Sequence, residues 1–180
     1  MNLFEFTGQQ GLEESAALQV EFGIADYFDI EAFPPLPVLS AGTTNADYVD
    51  LGDAVITFKP NKHFHRFEAS LEYSSYTSQL VGPRGAKSFE NMLTIGRTST
   101  GKEMLGYLRA NRNRKLVVAF KELGDDQYRL LGWDKLAAEV DEGGTETPAE
   151  VSGEKLTTMV IRSIFYPTLF IDSIPFTAPE

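Results

Sequence analysis

The stretch from Leu116 to Trp133 carries the strongest structural pattern in this sequence. It begins with a continuous apolar run, Leu116–Phe120, which is rich in β-forming side chains and typical of a strand buried on both faces. Gly124-Asp125-Asp126 follows, and the chain can reverse there because glycine tolerates positive φ and aspartate bonds its own backbone. Tyr128–Trp133 then runs back. The stretch predicts a β-hairpin at the centre of a sheet.

Alternating or apolar runs predict further strands before and after this hairpin. They are expected in residues 16–31, Asp53–Lys59, Phe67–Ser75, Leu136–Val140, Leu156–Tyr166 and Thr168–Ile174. Residues 16–31 and Phe67–Ser75 alternate apolar and polar side chains, which is the pattern of half-buried strands. We therefore expect seven to nine strands in total.

One helix is predicted over Lys102–Arg112. Thr100 and Glu103 have the spacing of a capping box, in which each side chain satisfies a backbone N–H at the start of a helix. Met104, Leu105 and Leu108 form an apolar stripe, with Tyr107 beside it. With the strands, this predicts a mainly β fold with one α-helix: a β-sandwich or a partly closed β-barrel flanked by the helix.

At 180 residues the chain fits a single domain, 1–180. Its first residues, about 1–15, are polar and contain two glycines, which favours a flexible N-terminal arm. Prolines and glycines predict long loops near residues 34–52 and 79–87. The stretch Asp141–Gly153 is rich in Gly, Thr, Glu and Pro, and an exposed loop is expected there.

The charge is negative overall and unevenly distributed. The net charge is −10, residues 1–58 contain no Lys or Arg, and eight of the sixteen basic residues fall between Arg84 and Lys115. A negative field disfavours adhesion to nucleic acid or to anionic lipid. The asymmetry fits either self-association of an acidic face with a basic face or two solvated faces of opposite sign.

The chain has no cysteine, which excludes disulfides and thiolate metal sites. The first residues lack the basic and apolar regions of a signal peptide, and no apolar run approaches the roughly 20 residues that span a bilayer. We therefore expect no membrane partner.

Two short motifs could carry chemistry. Gly96–Glu103 nearly matches the phosphate-binding loop G-x-x-x-x-G-K-[ST], but Glu103 replaces the hydroxyl that holds Mg²⁺, and a helix cap explains the same residues. His63 and His65 have a spacing that can chelate zinc, but no third ligand is evident, and exposed turn histidines explain them as well.

The remaining polar residues fit no catalytic pattern. No nucleophile motif accompanies the histidines, and the acidic residues are scattered. Arg109, Arg112 and Arg114 lie near the C-terminus of the predicted helix, where positive charge suits the helix dipole better than it indicates nucleic-acid binding. The sequence therefore predicts no enzyme activity, no cofactor and no metal.

From Ser88 onward, the order of features resembles a known family. The features are an apolar strand, a short helix, a strand entered through Asn113, a polar turn, a Tyr-Arg-Leu-Leu-Gly strand, an acidic Gly/Thr loop and a Leu-Thr-Thr strand followed by Pro167. This order is similar to that of the small tail-tube-like structural proteins of tailed bacteriophages, especially those of Bacteroidetes phages and prophages. The resemblance covers about residues 88–170.

The resemblance implies a virion structural protein that assembles in the cytoplasm of a host bacterium. It implies homo-oligomeric rings, with a hexamer favoured, around an acidic lumen through which DNA passes without specific binding. Other virion proteins would be further partners. The expected contacts between subunits lie in the long loops and the basic middle region, at Phe33, Pro34, Leu36, Tyr48, Arg84, Arg109 and Arg112.

Two alternatives remain open at this point. The polar N-terminal arm is longer than a simple tube subunit needs, which leaves a neck ring, a head–tail connector or a tail terminator possible. A carbohydrate- or protein-binding β-sandwich is the other alternative, in which exposed aromatic side chains such as Tyr48, Tyr73, Tyr76 and Trp133 would stack on a ligand.

Overall fold

The computed structural model describes residues 17–39, 42, 44–150 and 152–176. The predicted N-terminal arm lies outside the described residues. The described chain forms eleven β-strands and one α-helix: β1 (Glu21–Asp26), β2 (Ile30–Ala32), β3 (Thr57–Phe58), β4 (His65–Glu68), β5 (Ser75–Val81), β6 (Ser88–Arg97), α1 (Lys102–Asn111), β7 (Lys115–Phe120), β8 (Tyr128–Leu131), β9 (Ala138–Glu146), β10 (Leu156–Phe165) and β11 (Leu169–Ile171).

Nine of these strands form one antiparallel sheet in which β7 is the branch point. Leu116 of β7 pairs with Asp26 of β1 and also with Ala138 of β9. Further along, β7 pairs with β1 and with β8. Strand β1 therefore lies on one side of β7, and β8 and β9 follow each other on the other side. From there β8 leads to β11, and β9 leads through β10 and β6 to β5.

Strand β7 separates two hydrophobic cores. Its side chains alternate, so that Leu116, Val118 and Phe120 enter one core while Val117 and Ala119 enter the other. All five are fully or almost fully buried. The prediction of a strand buried on both faces is confirmed.

The first core lies between β1, β4 and β7 on one side and β6 and β10 on the other, with Met104 of α1 packed against it. The second core lies on the opposite face of β1, β7 and β8. The small β2–β3 sheet, the loop before β3 and the segment that contains β11 cover it. The mainly β class with one helix is therefore confirmed for the described residues. The main sheet stays open instead of closing into a barrel, which is consistent with a sandwich-like fold.

Two predicted boundaries near β5 are wrong. Phe67–Ser75 is not one strand, because β4 ends at Glu68 and the chain turns at residues 71–73, with Glu72 at a φ of 72°. Ser70 stabilises this turn, since its backbone N–H donates to the Gly96 carbonyl at 2.9 Å and its Oγ accepts from the Thr98 N–H at 2.9 Å. The predicted loop 79–87 is also too long, because β5 continues to Val81.

The expected exposed loop over Asp141–Gly153 is likewise wrong in its first half. Strand β9 continues to Glu146 and is hydrogen-bonded to β10, although the side chains of residues 141–146 are exposed. Backbone pairing with β10 holds this part of β9 in place, so the sequence needs no apolar alternation there. Residues 16–31 also contain less strand than predicted, because a 3₁₀ turn over Tyr27–Asp29 follows β1.

The predicted helix is present, but the capping box is not. Helix α1 begins at Lys102 with Gly101 as its N-cap, and no side chain caps it. Thr100 therefore lies one residue too early to act as the cap. Of the predicted apolar stripe, Met104 is buried and Leu108 half-buried, whereas Leu105 faces solvent.

Gly132 allows the chain to pass from β8 to β9 beside β7. Its φ is +90°, and a Cβ there would lie 2.8 Å from both the Leu116 carbonyl oxygen and the Ala138 nitrogen. We predict that Gly132→Ala lowers the free energy of unfolding by about 2 kcal/mol or more, because strain and a backbone clash add together. Urea denaturation measures the change.

Gly144→Ala is the matched control, since Gly144 lies in β9 with nothing within 4 Å of its Cβ position. Its effect is expected to stay within about 0.5 kcal/mol. Equal stabilities of the two variants would contradict the role given to Gly132.

Candidate functional site

The structure places the predicted interface residues in three separate regions. Phe33, Pro34 and Leu36 lie together and line a cavity beside Trp133. Tyr48 ends a 3₁₀ turn over Ala46–Tyr48 and is half-buried. The arginines are exposed: Arg84 lies in the turn after β5, Arg109 lies in the last turn of α1, and Arg112 is its C-cap.

A different surface, which the sequence did not indicate, lies at the far end of β5, β6 and β10. Phe89 of β6 is paired with Leu80 of β5 on one side and with Phe165 of β10 on the other. Leu80 and Phe89 are directly opposite each other and share a face of the sheet. Phe165 ends β10 opposite Phe89 with a φ of 92°, and its ring packs against Tyr166 with centroids 4.8 Å apart. Leu80 is 59% and Phe165 is 53% exposed. We call these three residues the apolar sheet end.

A buried polar layer separates the apolar sheet end from the first core. Its centre is Asn91, which is 1% exposed and lies on the same face of β6 as Phe89 and Leu93. The Asn91 side-chain oxygen accepts from the hydroxyls of Ser78 at 2.7 Å and Tyr76 at 3.2 Å. Its amide nitrogen donates to the Tyr166 carbonyl at 2.7 Å. The core therefore ends at this layer, and the apolar sheet end extends the same face beyond it.

On the opposite face of β5, β6 and β10, hydrogen bonds to the Glu90 carboxylate connect the three strands. The Arg162 side chain donates to Glu90 with an Nε–Oε1 distance of 2.7 Å, and Gln79 donates to the other carboxylate oxygen at 3.0 Å. The hydrogen bond from Arg162, followed by the one from Gln79, lowers the pKa of Glu90. The carboxylate thus connects β5, β6 and β10 across their outer face.

An aromatic cavity of about 580 Å³ lies on the second core. Its walls include Tyr27, Phe33, Trp133 and Tyr166. The Tyr27 and Phe33 rings stack with centroids 5.9 Å apart, and the Phe33 and Trp133 centroids are 5.1 Å apart. Lys59, Lys135, Glu31 and Asp134 bring both signs of charge to the rim.

Two hydrogen bonds fix one wall of this cavity. The Tyr27 hydroxyl donates to Asp134 at 3.1 Å and accepts from the Lys135 N–H at 3.0 Å. The sequence predicted Phe33 and Leu36 as surface residues without indicating that they meet Trp133. The two regions are about a hundred residues apart, so no local pattern could have brought them together.

The expectation of exposed aromatic platforms is wrong. Trp133 is 5% exposed, and Tyr48, Tyr73 and Tyr76 are half-buried. Tyr76 packs on Phe120 with ring centroids 5.0 Å apart and contributes its hydroxyl to the polar layer. Tyr73 donates to Glu154, and this hydrogen bond is the main cause of its raised pKa. These rings connect strands and loops of the chain itself.

The loop Gly96–Glu103 is held by other parts of the chain. A Cβ at Gly96 would lie 2.5 Å from the Tyr73 carbonyl oxygen, so glycine is needed there for a close backbone approach. The Ser99 carbonyl accepts from the Thr157 hydroxyl at 2.6 Å. Lys102 and Glu103 are exposed. The Gly96 contact accounts for the first glycine of the near-match to a phosphate-binding loop, and the Ser99 carbonyl attaches the loop to β10.

The two histidines lie at the start of β4. Both are exposed, and Phe64 between them is fully buried. His63 lies beside the Phe58 ring with centroids 6.5 Å apart. Over the described ranges there is no group of three or more His, Cys, Asp or Glu side chains placed to hold a metal ion.

Comparison with protein-family models, with curated proteins and with solved structures gave no match. In the part of the chain that the structure describes, no helix has the length and apolar character needed to cross a membrane.

The ionisation of Tyr107 on α1 makes the stability of the folded protein depend on pH. Its ring packs against Phe67 with centroids 5.1 Å apart, and burial raises its pKa to about 12, partly opposed by the charge of Arg114. The folded protein keeps the phenol proton at a pH where the unfolded chain, with a pKa near 10.0, has lost it. We therefore predict that the free energy of unfolding falls between about pH 10 and pH 12, by up to about 1.4 kcal/mol per pH unit.

Urea denaturation at several pH values measures this slope, with Tyr107→Phe as the control. The variant keeps the ring but cannot ionise, so its stability should decline less steeply over the same window. Identical pH dependence in the two proteins would show that Tyr107 does not contribute.

Proposed function

We propose that this protein is a non-enzymatic structural subunit of a tailed-bacteriophage virion, of the tail-tube-like kind, which acts by assembling with further copies of itself into a ring around a DNA-conducting lumen. The observation that carries the proposal is the apolar sheet end. Three paired apolar residues lie past the core at the end of β5, β6 and β10. Apolar surface that continues a core face beyond the core marks a contact with another protein.

The charge distribution supports contacts between copies. Arg84, Arg109 and Arg112 are exposed and make no ion pair with another described residue. Asp141, Glu142 and Glu146 on β9 are exposed and likewise unpaired within the described ranges. Exposed groups of both signs on one chain are consistent with contacts between copies.

The subunit's position in the virion follows from the resemblance and not from this surface. A tube subunit, a neck or head–tail connector ring and a tail terminator all need homotypic contacts of this kind. The proposal therefore names the tube or a tail-associated ring first and the other two positions as alternatives. The chain would be found in the virion after assembly in the host cytoplasm.

We predict that Leu80→Glu reduces self-association because it places a carboxylate within the proposed contact. Light scattering across protein concentration measures the average mass against the 20.0 kDa of one chain. The wild-type mass should rise with concentration, and the variant should stay at or near one chain at the same concentrations.

Leu123→Glu is the matched control, since Leu123 is 44% exposed but lies in the turn after β7, away from the apolar sheet end. It should associate like the wild type. A wild-type chain that stays monomeric at every concentration and salt level would contradict the proposed function.

A second candidate function, ligand binding, is favoured by the aromatic cavity. Its volume of about 580 Å³ falls in the range of small-molecule sites, and aromatic walls with a few polar groups are typical of such sites. Neutral sugars are one ligand class that stacks on such rings. This function would not need self-association.

The single tryptophan provides a direct test, because Trp133 forms part of the cavity wall. If the cavity binds sugars, titration with a panel of neutral disaccharides should change the tryptophan fluorescence in a saturable way. Phe33→Ala should abolish that change by removing the ring that packs on Trp133. If the wild-type tryptophan fluorescence does not change with any of the disaccharides, the proposal of sugar binding is wrong.

A further inference from the structure

Strand β5 is an unprotected edge of the main sheet. It is seven residues long, pairs with β6 at all seven without a register shift, and has no described strand on its other side. Its sequence, Ser-Tyr-Thr-Ser-Gln-Leu-Val, contains no charge and no proline. Proteins usually block exposed edges with charges, prolines, bulges or short strands, because an open edge invites pairing with another chain.

The other edges of the described sheet are blocked in these ways. Residues 49–52 cover β11, since Phe170 donates to the Val49 carbonyl and Leu51 donates to the Phe170 carbonyl, both at 2.8 Å. Strand β4 has only four residues, of which Arg66 and Glu68 are charged. The open half of β9 has three carboxylates, and Leu108 of α1 packs against its Gly143.

We propose that β5 pairs with β5 of a second copy of this chain, antiparallel and about a two-fold axis at Ser78. An open edge needs an open partner edge of similar length, and within the described residues β5 is the strand that offers one. Centring the pair on Ser78 lets all seven residues of each strand take part. Ser75 then faces Val81 of the second copy, Tyr76 faces Leu80, and Thr77 faces Gln79.

Side-chain chemistry agrees with this register. Tyr76 and Leu80 lie on the same face of β5, the face of Asn91 and the apolar sheet end. The two-fold pair brings each exposed Leu80 beside a tyrosine ring of the other copy, which is a favourable cross-strand pair.

This contact rests on the proposed function in that it names one surface through which copies meet. It is nevertheless a different contact from the one that closes a ring. A two-fold contact joins the same surface of two copies, whereas a ring contact joins two different surfaces. One chain can use both, so the pairing of β5 and the formation of rings can be tested separately.

Cysteine cross-linking tests the register, because the chain has no cysteine of its own. Only the residue on the axis faces itself, so Ser78→Cys should form a disulfide-linked dimer under mild oxidation. Thr77→Cys and Gln79→Cys should cross-link far less, since their partners across the axis are offset and a disulfide cannot span Cα atoms more than about 7 Å apart. Non-reducing gel electrophoresis measures the dimer fraction.

A pair of charge variants provides a second test that leaves Ser78 and its hydrogen bond to Asn91 intact. In the double variant Thr77→Lys/Gln79→Lys, each lysine faces a lysine of the second copy, because position 77 lies opposite position 79. This repulsion should raise the dimer dissociation constant by about tenfold or more. Thr77→Glu with Gln79→Lys places opposite charges at the same two points and should keep the dimer. Sedimentation equilibrium measures both constants, and circular dichroism checks that both variants fold.

The possible results separate this inference from the proposed function. Cross-linking at position 78 alone, together with the difference between the charge variants, supports the β5 pair. Absence of the 78 cross-link, equal cross-linking at all three positions, or equal dissociation constants would overturn it. Rings without β5 pairing would leave the proposed function standing, whereas β5-linked dimers without rings would support this contact and contradict the ring.

Discussion

The fold depends on the burial of β7 on both of its faces. Each residue from Leu116 to Phe120 is in contact with one of two cores, and β1, β8 and β9 are all hydrogen-bonded to this strand. A strand with solvent on one side would need only one covering layer. Because the side chains of Leu116–Phe120 are buried on both faces of β7, the chain needs a second covering layer. The β2–β3 sheet, the loop before β3 and the segment around β11 supply it. This layer also forms the wall of the aromatic cavity.

The same arrangement explains why the sheet is open at its other end. The chain leaves the core along β10, β6 and β5, and the polar layer around Asn91 closes the core before these strands end. Beyond that layer Leu80 and Phe165 are more than half exposed. The apolar sheet end and the uncharged edge of β5 are therefore adjacent features of one extension. Both features fit the proposal that this chain assembles with further copies of itself.

The parts of the fold that were predictable from sequence are those in which burial dictates the pattern. Strands β7, β8 and β10 and helix α1 were predicted to within about two residues. Burial leaves a continuous apolar run in β7, an alternation in β10 and a helical stripe in α1, and turn residues mark the start of β8. Strand β5 and the far half of β9 were missed. Their side chains are exposed and their positions depend on backbone pairing with a neighbouring strand, which leaves no hydrophobic period in the sequence. The false capping box shows a related limit, since Thr100 and Glu103 have the right spacing but the helix begins after Gly101.

In the candidate sites, too, single residues could be selected from the sequence, but the contacts between distant residues could not. Phe33 and Leu36 could be selected as loop residues, but their meeting with Trp133 is a long-range contact. Leu80 and Phe165 lay in regions predicted as a loop and as an ordinary strand end, so their alignment with Phe89 emerges only from the register of three strands.

The central claim is that this chain works by assembling with itself. Negative-stain electron microscopy of the purified wild-type protein over a range of concentration and salt tests it most directly. The account predicts rings or stacked tubes with a central hole wide enough for duplex DNA. Uniform single 20.0 kDa particles under every condition would contradict it.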